Sequence, residues 1–206
     1  MTTTLMTTTE ATRKRGLMTG TTASGNTVTT GWIASVAPAD ATGLLAESYA
    51  KQIEKIGRVS ELTQIGSLYP ELVAQRLALY QVVDATPSGV PEWARRAVAL
   101  LTSVLNGCLH CTVGNTQKLV DAGQGGLAQA IKADPHGHST GDAPIDAIFT
   151  YTRTLVLRPA SIVGTDVTAL RDAGWSDLDI LDVNNIAAYY CYINRVAHGL
   201  GLQGEA

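Results

Sequence analysis

The densest chemical signal in the chain is the segment Asn106–Cys111, which reads Asn-Gly-Cys-Leu-His-Cys. Two thiols three residues apart at the start of a helix can join in a disulfide within one turn. The first, Cys108, would lie where unpaired backbone N–H groups and the helix dipole favour an anion, which lowers the pKa of a thiol. His110 could supply a proton or a positive charge beside the sulfurs. The pattern predicts a redox-active dithiol.

Two other interpretations of the cysteines are open. Cys108 and Cys111 could bind zinc with two further ligands, and His136 and His138 are available, although their surroundings are typical of a loop. Free cysteines are also common in helix cores, and Cys191, between two tyrosines, is interpreted as one of these. A histidine inside the Cys-x-x-Cys favours redox chemistry over zinc binding, so we predict neither a metal nor a cofactor.

The segments that must position these thiols are helical in pattern. Pro70 and Pro91 stand where a first helical turn favours proline, and an apolar stripe follows each of them. A break at Asn106–Gly107 precedes a short helix predicted over 108–122. Further helices are predicted over 40–55 with Asp40 as N-cap, 145–157, 165–172 with Thr165 as cap, and 176–199 with a box-like Ser176 and Asp179; a loop is predicted over 132–144. No segment alternates like a strand, so the predicted fold class is all-α.

Length and composition narrow the class of protein. The 206 residues are 45% hydrophobic and 16% charged, which allows a sizeable core in one domain. The net charge of −3 argues against nucleic acid as the main partner. No apolar run is long enough to span a membrane. The three cysteines do not form the even set of a secreted disulfide framework, and the first residues lack the layout of a secretory signal, so we expect a cytoplasmic protein.

Residues 1–30 differ from the rest of the chain. They are rich in Thr and Gly and show no apolar periodicity. Such a segment buries too little surface to offset the entropy of ordering it. The predicted organisation is therefore a flexible tail over 1–30, followed by one helical domain over 31–206.

Two sequence elements carry a resemblance to a known group of proteins. They are NGCLHC at 106–111 and NRVAHGLG at 194–201, within a similarity that spans about 38 to 203. With them the chain resembles the AhpD-like group of the carboxymuconolactone decarboxylase superfamily, nearest to its peroxidase-related branch. The resemblance implies a helical bundle with a helix hairpin carrying the thiols, and a homo-oligomer, often a trimer or hexamer. It implies reduction of organic hydroperoxides, with Cys111 peroxidatic, Cys108 resolving and a lipoyl-type or similar dithiol as reductant.

Two positions of the family's proton relay are altered. The relay's Glu, twelve residues before the first Cys, matches Arg96, and its outer His, four residues after the second, matches Asn115. If the chain reverses at Asn106–Gly107, the two lie roughly 15 Å and 12 Å along antiparallel helices and could be neighbours. They cannot pass protons, since Arg stays protonated and an amide does not titrate. They are candidate substrate-binding residues, although Arg96 could instead pair with a carboxylate on a neighbouring helix or subunit.

Three other residues could replace the relay: Asp121 on the same short helix, Glu92 one turn before Arg96, and His198 in the closing element. Each also has an ordinary structural interpretation, as a surface charge, a first-turn charge or a helix-end histidine.

Three hypotheses follow. The first is thiol-dependent reduction of a hydroperoxide, in which a sulfenic acid condenses to a Cys108–Cys111 disulfide. The second is decarboxylase, isomerase or lyase chemistry on a small carboxylate or lactone, with Arg96 as anchor and His110 as general acid or base. The third is a non-catalytic binding protein or redox sensor. The paired thiols favour the first.

Overall fold

The computed structural model of the chain describes residues 27–203, and most of them are helical, which confirms the predicted helical class. In chain order the helices are α1 (Gly43–Ile56), α2 (Glu61–Gln64), α3 (Pro70–Asp84), α4 (Glu92–Leu105), α5 (Leu109–Asp121), α6 (Gly125–Ala133), α7 (Ala143–Leu157), α8 (Gly164–Asp172) and α9 (Asp177–Gly199). Single 3₁₀ turns lie at Pro38–Asp40 and Pro159–Ser161.

A β-hairpin precedes the helices, so the prediction that the chain has no strands is wrong. Strands β1 (Thr27–Thr30) and β2 (Ile33–Val36) pair antiparallel, with Thr30 opposite Ile33. Gly31, at a φ of +60°, allows the tight reversal between them. β-branched residues make up much of both strands, and these favour extended backbone. The predicted tail over 1–30 therefore ends in a strand, and its residues 1–26 lie outside the described part.

A hydrogen bond joins the hairpin to the residue that follows α9. The backbone N–H of Trp32 donates to the carbonyl of Leu200, just beyond α9, over 2.9 Å. Inside the hairpin the hydroxyls of Thr30 and Ser35 share a buried hydrogen bond of 2.7 Å. These contacts hold the hairpin, whose first strand is rich in Thr, in a fixed place.

The first helix begins later than predicted. Asp40 falls in a 3₁₀ turn, and the N-cap of α1 is Thr42 instead. Gly43, the first residue of α1, has a φ of +53°, which glycine adopts more readily than other residues. Helix α1 packs on α3 and buries Tyr49, whose hydroxyl donates to the carbonyl of Val36 over 3.1 Å. A small second core forms here, beside the main one.

Helix α4 is the centre of the main core. It contacts α5, α6, α7 and α9, and its Ala97, Val98, Leu100 and Leu101 are fully buried. Burial of a side chain such as Leu or Val contributes roughly 1.5–3 kcal/mol, so this helix is held mainly by apolar packing. Its start after Pro91 agrees with the sequence prediction. As a result the end of α4, which leads to the thiols, is fixed on several sides.

Helix α9 is the longest element and lies against α3, α4, α5, α7 and α8. Its start is the predicted capping box: the backbone N–H of Asp179 donates to the Ser176 hydroxyl, and the backbone N–H of Ser176 donates to the Asp179 carboxylate. In contrast, α8 is capped at Val163 rather than Thr165. Among residues 27–203, no helix combines the length and apolar character that crossing a membrane requires.

Candidate active site

The two thiols lie at a sharp reversal between α4 and α5. Three residues join these helices, and Gly107 among them has a φ of +67°, which side chains other than glycine rarely adopt. The backbone N–H of Cys108 donates to the carbonyl of Ser103 over 2.9 Å, and Cys108 is the N-cap of α5. Cys111 follows in the first turn. Both thiols are free and buried, with exposed fractions of 0% for Cys108 and 7% for Cys111.

Cys108 is the acidic thiol of the pair. A hydrogen bond from the Cys111 thiol is the main cause that lowers the pKa of Cys108 to about 6; burial opposes this, while the Cys111 backbone N–H, the charge of His198 and the Asn194 amide add to it. Cys108 lies at the helix start that the sequence predicted, but the main cause of its acidity is the Cys111 thiol, and the backbone N–H contributes less.

Cys111 is correspondingly the thiol that keeps its proton. Its hydrogen bond to Cys108 raises the pKa of Cys111 above the ordinary value, and burial and the charge on Cys108 raise it further. The two sulfurs therefore share one proton and carry one negative charge, which rests on Cys108. The family resemblance implies that Cys111 is the nucleophile. The negative charge at rest lies on Cys108, the other sulfur of the pair.

A cluster of amides and one hydroxyl, formed by Asn106, Asn115, Asn194 and Ser103, surrounds the thiols. Asn106 donates to the Asn194 side-chain oxygen over 3.0 Å, and Asn115 donates to the Ser103 hydroxyl over 3.1 Å. Ser103 in turn donates to the carbonyl of Ala99 over 2.8 Å. Asn194 is fully buried and reaches both sulfurs. This amide cluster can orient the thiols, but its groups do not titrate.

The third cysteine lies at the edge of the amide cluster. Cys191 is half-buried on α9, and Asn106 approaches its sulfur at 3.5 Å. The sequence interpretation as a core cysteine describes its packing only in part, because it also contacts a polar group.

His110 is not directed between the sulfurs. Its Nδ1 lies 3.6 Å from the carboxylate of Glu61 on α2. Burial lowers the pKa of His110, Glu61 opposes that effect and Arg58 adds to it. Adjacent residues on a helix point about 100° apart, so a residue next to Cys111 in sequence need not share its face. The histidine whose charge acts on Cys108 is His198, in the last turn of α9.

Arg96 and Asn115 have different partners. The Arg96 guanidinium donates to Asp84 on α3 over 2.5 Å and to Glu92 over 3.2 Å, whereas Asn115 belongs to the amide cluster. Of the three substitutes considered for the relay, Glu92 is thus engaged by Arg96. Asp121 accepts from Gln117 on the exposed side of α5. His198 alone of the three acts on the thiols.

A wall of tyrosines beside Cys111 was not predicted from the sequence. The rings of Tyr80 and Tyr189 have centroids 5.8 Å apart, and those of Tyr189 and Tyr190 are 5.7 Å apart, edge to face. The Lys118 ammonium lies 5.3 Å from the Tyr80 ring centre and donates to its hydroxyl. The available signal was spacing: Tyr190 stands four residues before Asn194, hence on the same face of α9.

Among the described residues, no second pair of zinc ligands is found near the thiols. His136 and His138 lie in the loop between α6 and α7, where Arg153 donates to the His138 carbonyl over 2.6 Å. In the described part of the chain, no three His, Cys, Asp or Glu side chains are placed to hold a metal ion.

Comparison with solved structures gives clear matches. An uncharacterized peroxidase-related protein from Silicibacter sp. TM1040 superposes with a TM-score of 0.70 at 22% identity, over 78% of this chain and 85% of the other. An AhpD-core peroxidase-related protein from Ralstonia eutropha JMP134 gives a TM-score of 0.69 at 20% identity, over 80% and 90%. This chain has the AhpD-like fold. No protein-family model and no curated protein sequence matches it.

The AhpD-like fold is also found in an enzyme of another kind. The debrominase Bmp8, in a complex with 2,3,4-tribromopyrrole, superposes with a TM-score of 0.70 at 16% identity, over 84% of this chain and 90% of the other. At these identities the fold is shared, and the reaction has to be argued from the site itself.

Proposed function

We propose that this chain is an AhpD-like thiol oxidoreductase, which reduces organic hydroperoxides through a Cys108–Cys111 dithiol/disulfide couple. The observation that carries the proposal is the buried pair of interacting thiols, one of them strongly acidic at a helix N-terminus. A thiolate is the nucleophilic form of cysteine, and a second thiol in contact with it is the partner that a disulfide needs.

The reaction can be written with all atoms accounted for. Cys111 passes its proton to the Cys108 thiolate and attacks the terminal oxygen of the hydroperoxide. The O–O bond breaks, an alkoxide leaves and takes up a proton, and Cys111 becomes a sulfenic acid. Cys108 loses the proton it received to solvent, since its pKa is about 6, and as a thiolate attacks that sulfur and releases hydroxide, which solvent protonates. Two electrons pass from the thiols to the peroxide, and an external dithiol of lipoyl type restores them by exchange.

Cys111 is assigned the attack because the family resemblance implies it and because it is the more exposed residue of the pair. Its exposed fraction is 7%, against 0% for Cys108. Cys108 takes up the proton shared between the two sulfurs while Cys111 attacks, and its low pKa then returns it to the thiolate form that resolves the sulfenic acid. This division keeps the roles that the family resemblance implies and gives the low pKa of Cys108 a function.

The assembly and location are part of the same proposal. Helix α3 exposes the apolar side chains of Leu79 and Val82, at 51% and 70%, which suits contact with a second copy. We expect a homo-oligomer, a trimer or hexamer, in a reducing compartment such as the cytoplasm. Light scattering of the purified chain measures the oligomer directly.

The test is turnover of cumene hydroperoxide with dihydrolipoamide as the reductant. The wild-type chain should consume the peroxide, and Cys111→Ser should abolish consumption. Cys108→Ser should also stop turnover, yet still allow one sulfenic acid to form slowly at Cys111, since the sulfur that takes up its proton is gone, and a dimedone-type probe traps it. The matched control is Cys191→Ser, which should keep turnover because Cys191 contacts neither sulfur of the couple. Undiminished consumption by Cys111→Ser would contradict the proposal.

The structural likeness to Bmp8 favours a second candidate, reductive removal of bromide from a small aromatic ring. The same dithiol would supply the two electrons, the ring carbon would gain a proton in place of bromine, and bromide would leave. The tyrosine wall beside Cys111 offers aromatic surface for such a ring. Bromide release from 2,3,4-tribromopyrrole, compared with peroxide consumption under identical conditions, decides between the two substrates.

In the lyase alternative Arg96 would bind the carboxylate of the substrate, but its guanidinium is already paired with Asp84 and Glu92. Turnover of a carboxylate or lactone that survives thiol alkylation would restore it. A chain inactive on all these substrates that retains a bound partner would instead be the non-catalytic module.

A further inference from the structure

A small cavity lies between α3, α4 and α9, close to the thiols. It has a volume of about 20 Å³ and is lined by Tyr80, Asp84, Arg96, Ala99 and Tyr190, with Val83, Arg95 and Ile186 completing its wall. A site of this size holds one water molecule, provided that two or more polar groups can bond to it. The Asp84 carboxylate and the Tyr190 phenol are such groups. Asp84, with about a fifth of its side chain exposed, also links the cavity to solvent.

The cavity adjoins the thiols through two helices. On α9, Tyr190 stands one turn before Asn194, which reaches both sulfurs. On α4, Ala99 stands one turn before Ser103 and accepts its hydrogen bond. One turn corresponds to a rise of about 5.4 Å, so the cavity and the amide cluster form adjacent layers. The Tyr190 phenol lines the cavity with Arg96 and Tyr80 and is close enough to Cys111 for the two groups to influence each other electrostatically.

The reaction needs a proton donor at this place. The leaving alkoxide is a strong base, while the amide cluster cannot titrate and Arg96 stays charged and paired. Desolvation keeps the pKa of Tyr190 well above that of an ordinary tyrosine, so the phenol is protonated near neutral pH. A neutral phenol can donate to an alkoxide, which is the more basic of the two.

We propose that Tyr190 is the proton-relay residue of this site: it donates its proton to the alkoxide released at Cys111 and recovers one from a water molecule held against Asp84. The inference rests on the proposed hydroperoxide reduction. The groups that surround the phenol are Tyr80 and Asp84 from α3, Arg96 from α4, Cys111 from α5 and Tyr189 from its own helix.

The test compares Tyr190→Phe with Tyr189→Phe. Both tyrosines are 9% exposed and both lie near Cys111, but only Tyr190 lines the cavity. With tert-butyl hydroperoxide, oxidation of the dithiol in a single turnover should slow at least tenfold in Tyr190→Phe and less than twofold in Tyr189→Phe. The removed hydroxyl leaves the ring and its packing in place, so folding is retained.

Peracetic acid separates a relay from a merely structural role. Its leaving group is acetate, a weak base that departs without a proton, so Tyr190→Phe should react with it at nearly the wild-type rate. A second variant, Ala99→Val, fills the cavity while keeping the phenol, and should likewise slow tert-butyl hydroperoxide but not peracetic acid. Equal slowing with both oxidants, or none with either, overturns the relay. Failure of the wild-type chain to oxidise its thiols with any hydroperoxide overturns the proposed function, and the relay with it.

Discussion

Replacing Cys111 by alanine removes the thiol whose hydrogen bond is the main cause of the acidity of Cys108. The pKa of Cys108 should then rise from about 6 toward 9.0, because the main donor that opposes burial is gone. A full rise to 9.0 corresponds to about 4 kcal/mol. The remaining causes, the backbone N–H of residue 111, the charge of His198 and the Asn194 amide, are smaller than the effect of the lost thiol.

The size of this pKa change decides which measurement is informative. At pH 7 a thiol with a pKa of about 6 is roughly nine-tenths ionised, whereas one with a pKa of 9.0 is roughly one-hundredth ionised. The ionised fraction at pH 7 therefore falls roughly 90-fold. Each remaining thiolate is more basic and reacts about 20-fold faster, because nucleophilicity rises with pKa with a Brønsted slope of about 0.4–0.5. The rate at pH 7 therefore falls only about fourfold, while the pH midpoint moves widely.

The assay is the rate of reaction with an aromatic disulfide reagent as a function of pH, in a Cys191→Ser background so that only the couple reports. The matched control is Cys108→Ala, in which the remaining Cys111 thiol should titrate at or above the ordinary cysteine value because it is buried. A midpoint below pH 7 in the Cys111→Ala variant would refute the assignment of the acidity to the hydrogen bond between the sulfurs.

Three further predictions concern the fold. The free energy of unfolding of the reduced chain should rise as the pH increases from about 6 to 9, since Cys108 ionises in the folded state before it does in the unfolded one; urea titrations should show this gain, and the disulfide form should lack it. Arg95→Met should lower the free energy of unfolding, measured by urea titration, by about 3–5 kcal/mol, because it leaves the fully buried carboxylate of Asp182 without its cation. The control Arg171→Met, at an exposed ion pair, should change it by less than about 0.5 kcal/mol. Gly107→Ala should cost about 1–2 kcal/mol from its φ of +67° alone, since a Cβ there meets open space, and the thiol midpoint should stay unchanged.

The sequence was most informative where a local signal decides the structure. Pro70 and Pro91 mark the starts of α3 and α4, and Ser176 with Asp179 forms the capping box of α9, since each acts on backbone groups within a few residues. The start of α1 was misjudged because Asp40, a good N-cap by type, is used by a 3₁₀ turn. Helix α6 was missed because it begins with two glycines, which disfavour helix.

In the candidate site, too, features set by neighbouring residues could be predicted, whereas contacts between distant helices could not. The placement of Cys108 as N-cap follows from three-residue spacing and the break at Gly107, so it could be predicted. The tyrosine wall, the Asn194 contacts and the pairing of Arg96 with Asp84 depend on how α3, α5 and α9 pack together. Those contacts join residues far apart in the chain, and no local pattern specifies them. The contact of His110 with Glu61 of α2 is likewise a long-range contact that the sequence does not specify, and the catalytic role of His110 stays a prediction.

The bond between Trp32 and Leu200 gives the chain a particular order of assembly. During synthesis on the ribosome the hairpin emerges early and can contact Tyr49 once α1 has formed, but its bond to Leu200 forms only after α9 has been made. The same helix supplies Asn194 and His198 to the thiols. The smaller contributions to the acidity of Cys108 therefore come only with the last helix, after the main one from the Cys111 thiol of α5.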